Sequence, residues 1–322
     1  MNSIIEQAKK LYGIEGYEFY EVPGHEGGRN RVYICVSEGV KKYVLRVSNT
    51  CDRTAESYLA ETEFVHYLAA NGAPVSDAVS SVNGRLVEKT EQDGEICFMT
   101  LFVHAKGMLL CDNGYRYREG APIEEYFFNT GKTLGAIHRL AKKYQPKHRR
   151  PDYFDKYDME YIGSLIPDGF AELKKAISER LGEFRALPKD DDTYGLVHFD
   201  YSDGNYHIDM ENGDITVFDF DNCMYCWYMF DLANLWTHGE GWCRGLPDEQ
   251  ARAEYMKHYF DTILQGYRTE TEISEDMLAK LPLFIDMVLI ENIVDEFECC
   301  AREGEDVDPE DIEDAAAALI NR

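Results

Sequence analysis

The stretch Leu196-Val-His-Phe-Asp-Tyr-Ser-Asp-Gly-Asn-Tyr206, followed by Ile215-Thr-Val-Phe-Asp-Phe-Asp221, constrains the fold of this chain more than any other feature. Each piece is a short apolar run that delivers polar groups where the run ends. Between them Glu211-Asn-Gly-Asp214 is turn chemistry, so the two runs are expected to pair as neighbouring strands or near-strands. Pairing gathers His198, Asp200, Asn205 and Asp219 into one small volume. A carboxylate just after a strand, an amide oxygen a few residues on and a second carboxylate on a neighbouring strand suit a divalent cation and a hydroxyl. Mg²⁺ favours hard oxygen ligands and shares its shell with phosphates.

The pattern His198-x-Asp200-x-x-x-x-Asn205, with Asp219-Phe220-Asp221 after it, resembles the catalytic loop and metal motif of the aminoglycoside phosphotransferase and choline kinase family, the small-molecule branch of the protein-kinase-like fold. Phe230-Asp231-Leu232-Ala233 resembles that family's Asp-Leu-Ala segment. The resemblance implies an α+β, two-lobed, protein-kinase-like fold. A small antiparallel-sheet lobe over residues 1–102 would cover the nucleotide, and a larger, mainly helical lobe over 103–322 would carry catalysis and the acceptor. It also implies transfer of the γ-phosphoryl group of ATP or GTP to a hydroxyl of a small molecule, with Mg²⁺ as cofactor. In those terms Asp200 is the catalytic residue, orienting the acceptor hydroxyl or taking its proton. Asn205 and Asp219 hold the metal, His198 shapes the loop, and Asp231 braces the loop's backbone.

In the first third of the chain, Tyr17–Val22, Arg31–Val36 and Lys42–Val47 read as strands. The loop Pro23–Asn30 between the first two bears Gly27 and Gly28, which allow a backbone to approach phosphate closely. The resemblance places this loop, with Asn30 at its exit, over the nucleotide. Arg46 stands where the family carries its phosphate-pairing base, commonly Lys; a guanidinium can still pair with phosphate and with a carboxylate. Ala55–Ala70 has helical spacing and should supply that carboxylate, with Glu61 the better match and Glu63 its rival. Asn83-Gly84 and Asp93-Gly94 read as two hairpin turns flanking Arg85–Lys89 and Glu95–Val103, which completes a five-stranded sheet. Met99–Val103, with Thr100 and Phe102, falls where the chain crosses to the second lobe and where an adenine would meet backbone groups.

From Ala121 the pattern turns helical, over Tyr126–Leu140, Phe170–Phe184, Arg252–Arg268 and Met277–Ala301, with Asp308-Pro309-Glu310 opening a last helix. His138 reads as a packed helix histidine and Lys147-His-Arg-Arg150 as a solvated basic face. Cys223-x-x-Cys226 lacks two further ligands at a metal-site spacing, so no zinc site is expected there. Asp221 replaces the glycine of the Asp-Phe-Gly pattern. It could tolerate a left-handed backbone, join the metal shell or receive a cationic substrate.

Glu291, Asp295 and Glu298 form one stripe along a helix. Facing the cleft, the stripe suits a cationic acceptor such as an aminoglycoside, a choline-like amine or an amino alcohol, helped by aromatic faces. Facing water, the simpler reading, it is a solubilising surface.

The net charge of −27 repels nucleic-acid phosphate and anionic membranes, so neither is expected as a partner. The acidity is local, with 13 acidic side chains and one basic between Asp286 and Asp314. No apolar run nears the roughly 20 residues of a membrane helix, and the N-terminus lacks a signal peptide's apolar core. A cytoplasmic monomer or homodimer is expected. The competing reading is a nucleotide-binding regulator or pseudokinase of the same fold, whose acidic C-terminal region binds a basic protein.

Overall fold

The computed structural model describes residues 2–23, 30–49, 53–92 and 94–321. The amphipathic helix α1 (Asn2–Tyr12) lays Ile4, Ala8 and Tyr12 on one face of an antiparallel sheet. The Tyr12 hydroxyl donates to the Met99 carbonyl at 2.9 Å. Next come β1 (Glu18–Glu21), β2 (Asn30–Ser37), β3 (Val40–Asn49), α2 (Ala55–Ala70), β4 (Ala78–Val79), β5 (Glu88–Gln92) and β6 (Glu95–Val103). The sheet runs β1-β2-β3-β6, and both β4 and β5 lie on the outer edge of β6. Alternation along β3 and β6 turns Leu45, Val47, Met99 and Leu101 towards α1, and Arg46, Ser48, Thr100 and Phe102 towards the opposite face.

The sheet therefore has six strands rather than five. Asn83-Gly84 does not close a hairpin: the chain leaves the edge of β6 after β4, turns, and returns to the same edge as β5. The Ser81 hydroxyl organises this loop, accepting from the Asn83 and Arg85 amides and donating to Glu88 at 2.6 Å. The second expected hairpin, at Gly94 (φ 86°), does join β5 to β6.

The rest of the chain is mainly helical: α3 (Ile123–Ala141), α4 (Tyr153–Lys156), α5 (Met159–Leu165), α6 (Ala171–Arg185), α7 (Met229–Cys243), α8 (Glu249–Tyr267), α9 (Glu275–Leu278), α10 (Leu281–Glu303) and α11 (Pro309–Ile320). The expected helix over 277–301 is broken between α9 and α10, because Pro282 lacks an N–H and so begins a new helix. Helices α3 and α8 cross backbone to backbone: a Cβ on Gly131 would collide with the Ile263 carbonyl, and one on Gly266 with that of Phe128. No described helix is long and apolar enough to cross a membrane.

Two small ladders sit amid the helices. β7 (Tyr194–Val197) pairs with β10 (Met224–Trp227), and β8 (Tyr206–Ile208) with β9 (Ile215–Val217), the second closed at Gly213 (φ 83°) as the turn chemistry predicts. The amino-terminal part docks directly on β9, where the Val217 amide donates to Pro74 and the Ser76 amide to Val217. Phe64, Val65 and Leu68 of α2 belong to the same apolar core as the helices around β7–β10. The ends of these ladders and the polar face of the large sheet enclose the site.

Candidate active site

β7 ends at Val197 and the loop 198–205 follows. Asp231, buried on the first turn of α7, accepts the backbone N–H of His198 and of Phe199, each at 2.9 Å. Two successive amides can meet one carboxylate because Phe199 adopts φ 70°, a left-handed conformation that costs a non-glycine residue energy. Stacking of Phe199 on Phe230, 4.2 Å between centroids, helps to hold it there. The same carboxylate accepts from His138 Nε2 at 3.0 Å, while His138 Nδ1 accepts from the Tyr267 hydroxyl at 3.0 Å. Burial keeps the His138 imidazole below its ordinary pKa, which fits this neutral tautomer. His138 is thus packed, and it also braces the brace.

His198 is fully buried, and its Nε2 donates across to the Phe218 carbonyl at 3.0 Å, tying the loop to the residue before Asp219. Asn205 spends its amide NH₂ on the Asp200 carbonyl at 2.9 Å, which leaves its Oδ1 as the atom for a cation. Burial raises the Asp200 carboxyl above the usual range; nearby Asp219 adds to this, while His198 and Asn205 oppose it.

On the opposite wall, Arg46 and Glu61 form a two-pronged ion pair of 2.8 and 2.7 Å. Both are buried, and Arg46 lies over the Phe102 ring at 5.1 Å. Burial alone would raise the Glu61 carboxyl; the guanidinium of Arg46 outweighs that and holds it below its ordinary value. The rival Glu63 pairs instead with His148 at 3.0 Å. Thr100 pairs with Arg46 across the β3–β6 ladder, so Thr100, Phe102 and Arg46 share one face. Gly27 and Gly28 lie outside the described residues.

Asp219 adopts φ 61° and is half exposed, with Arg46 Nη1 at 3.8 Å. Among the described residues no three His, Cys, Asp or Glu side chains converge as a closed metal cage. An open pair of hard oxygens, from Asp219 and Asn205, suits a cation whose shell phosphates complete. Asp221 does not adopt a left-handed backbone, and its carboxylate is engaged within the protein. It lies in a 3-10 turn without positive φ, its Oδ2 accepts from Asn30 at 2.9 Å, and its other oxygen pairs with Arg53. Asn30, expected over the nucleotide, is committed at both ends of its amide, the oxygen accepting from Ser48 at 2.6 Å.

The acidic stripe divides. Asp295 is exposed, but Glu298 accepts from the Tyr161 hydroxyl at 2.6 Å and from Lys156 at 3.2 Å. Glu291 is pushed up to about 8 by burial first, and then by the charges of Asp295 and Asp200. The stripe is therefore not merely a solvated face. Sequence reasoning missed Arg53 and misread Arg150, which is buried rather than on a solvated face; neither has a local signal, because their partners lie far away in the chain. It also missed a cavity of about 30 Å³ beside the loop, lined by Tyr126, Asp203, Tyr206, His238 and Trp242, roomy enough for a water molecule. Cys223 and Cys226 are fully buried, and burial raises both thiols, Cys223 to about 11.

Residues 22–272 match the sequence pattern of the phosphotransferase enzyme family. An amicoumacin kinase of Bacillus subtilis (strain 168) is 29% identical over 262 residues, covering 80% of this chain and 74% of that protein. Among solved structures, an amicoumacin kinase, hAmiN, in complex with AMP-PNP, Ca²⁺ and Ami superposes with a TM-score of 0.80 at 25% identity, over 99% of this chain and 92% of that one. A microcompartment-associated aminopropanol kinase superposes with a TM-score of 0.70 at 17% identity, over 99% and 94%, a likeness of fold.

Proposed function

From the premise that this chain belongs to the phosphotransferase enzyme family, we propose that it moves the γ-phosphoryl group of ATP to a hydroxyl of a small, cationic acceptor. The observation that carries the reading is the convergence on Asp219. The buried Arg46–Glu61 pair reaches it from the sheet, and the braced loop of Asp200 and Asn205 reaches it from the ladders.

In the proposed division of labour, residues 1–102 cover the nucleotide and 103–322 carry catalysis and the acceptor. Arg46, held by Glu61, pairs with the α- and β-phosphates, and Thr100 and Phe102 lie where the adenine enters. Asn205 and Asp219 would hold Mg²⁺, which supplies charge neutralisation and alignment of the phosphate oxygens when bound. The acceptor oxygen attacks the γ-phosphorus as the bond to the ADP oxygen breaks. Asp200 orients the acceptor O–H and takes its proton late in the step. His198 and Asp231 keep Asp200 in place, and catalysis rests on positioning rather than on a covalent intermediate.

The cationic character of the acceptor rests on Glu291, with Asp295 and Glu298 beside it. A carboxyl already raised by burial and by neighbouring acids is relieved by an ammonium group. The AMP-PNP in the hAmiN complex supports ATP as donor. The gathering of Arg46, Glu61, Asp200, Asn205 and Asp219 supports an active enzyme over a regulator without activity.

The test is Mg²⁺-dependent ATP consumption across aminoglycosides, choline-like amines, amino alcohols and uncharged sugars. Turnover stimulated by an amine and lost in Asp200→Ala supports the reading. Stimulation by sugars alone removes the cationic acceptor, and failure to bind Mg-ATP removes the kinase.

A further inference from the structure

Asp219 and Asp221 stand two residues apart and meet opposite fates. The Asp219 carboxylate is 51% exposed and keeps one distant ion pair, whereas that of Asp221 is 13% exposed and engaged on both oxygens. The backbone carbonyl of Asp221 is engaged too: Arg53 Nη1 and Arg150 Nη2 each donate to it at 2.6 Å. A carbonyl oxygen has two lone pairs, and here both face guanidinium groups, the stronger kind of hydrogen bond.

Arg150 is itself buried and spends its other donors on two more backbone carbonyls. Nε donates to Cys223 at 2.6 Å and Nη1 to Ser57, on the first turn of α2, at 3.2 Å. Arg53, just before α2, also donates to the Asn222 side chain at 3.2 Å. One cluster therefore ties together the start of α2, the segment 221–223 and, through Asn30, the start of β2. Separating α2 from that segment would leave buried guanidinium donors unpaired, which costs more than the bonds themselves contribute.

We propose that Asp221, Arg53 and Arg150 are positioning residues. They form a clasp that holds Asp219 in its left-handed, cation-facing conformation and locks α2, with Glu61, against the site. Asn30 links the clasp to the start of β2. The inference rests on the reading that Asp219 receives the nucleotide-bound cation, and it assigns the second acid of the motif to the protein's own frame rather than to the metal shell or the acceptor. The glycine of the related pattern is replaced here because the position requires a carboxylate for Arg53 and Asn30 and requires no positive φ. The site is then assembled before any ligand arrives, with no swing of α2.

Two measurements on the full chain test this. In the nucleotide-free protein, amide exchange over 220–223, where the Cys223 amide donates to Phe220, should accelerate in Asp221→Asn and in Arg53→Lys. Titration with Mn²⁺ and a non-hydrolysable ATP analogue should show affinity falling about ten-fold in each variant, the scale of one lost charge-assisted hydrogen bond. The double variant should be no worse than the weaker single one, and acceptor KM should not move. Asn30→Ala, at a strand end away from the core, serves as the milder variant should the others fold poorly, and it should shift the same affinity by less. Unchanged exchange and affinity in Asp221→Asn would overturn the clasp. So would loss of Mn²⁺ binding in Asp221→Asn with Arg53→Lys silent, since that pattern belongs to a metal ligand. Wild-type protein that binds no nucleotide would defeat the kinase reading instead, and the exchange result would still decide the clasp.

Discussion

The two walls of the cleft treat charge in opposite ways. On the wall made by the sheet and α2, the buried Arg46 meets Glu61 in a two-pronged ion pair. Along α10 Glu291 meets acids instead: burial first, and then Asp295 and Asp200, push its carboxyl up to about 8. In the proposed function the first wall meets a ligand whose phosphates and cation never vary. The second holds unspent negative potential that a cationic ligand would neutralise. Preorganisation on one side and deliberate imbalance on the other are two routes to affinity, and they predict different responses to mutation.

The largest effect is expected at the junction of the walls. Asp200→Ala should lower kcat by about a thousand-fold, the scale of general-base assistance, while nucleotide affinity, measured by titration, stays near wild type. Loss of both together would show that the walls are not separable.

Breaking the paired wall comes next. Glu61→Gln leaves a buried guanidinium without its counter-ion and should cost about 3–5 kcal/mol of stability in urea unfolding. A change within about 0.5 kcal/mol, the size of an ordinary surface substitution, would mean that the pair is less buried than it stands.

The unpaired wall should reveal itself through pH. Glu291 has a folded-state pKa near 8, above the 4.5 of an ordinary Glu, so between those values the folded chain binds more protons than the unfolded one. Stability from this group is complete at low pH and is lost as pH rises through about 8. Lys156 opposes this shift, and Asp200, Asp295 and Glu298 reinforce it. Thermal unfolding of Glu291→Gln against wild type from pH 5 to 9 should show the difference growing in the variant's favour as pH rises. An ammonium-bearing acceptor should release a proton on binding and bind more tightly from pH 6 to 8, and the same variant should lose that dependence.

The smallest effect is expected from Asp295→Asn. The side chain is exposed, so its field is screened, and the variant should raise the KM of a cationic acceptor by no more than about five-fold at low salt and less at high salt.

Much of this architecture was legible in the sequence because its rules are local. The span of α2 over Ala55–Ala70 follows from helical spacing and the stop at Asn71-Gly72, and the β8–β9 hairpin from its Asn-Gly turn. Asp308 before Pro309 does cap α11. Where a local rule met a tertiary alternative it failed. Asn83-Gly84 carries hairpin chemistry, yet the flanking segments find the same edge of β6 rather than each other. The basic run at 147–150 looks solvated, yet Arg150 is drawn inward by three carbonyls that only the folded chain brings together.

The sequence by itself determined which chemical groups would meet, because the motifs lie at the ends of short apolar runs whose pairing is forced by turns. It could not determine which of two similar groups would take each role. Glu61 and Glu63 are two positions apart on one helix and so point to different sides; the packing of α2 gives one to Arg46 and the other to His148. Asp219 and Asp221 have the same side chain, and the approach of Arg53 and Asn30 in the folded chain engages one carboxylate while the other stays half exposed. Partners separated by 168 or 191 positions in the chain leave no periodicity to read. Their meeting is a property of how the sheet docks on the ladders, and that was decided by the tertiary structure.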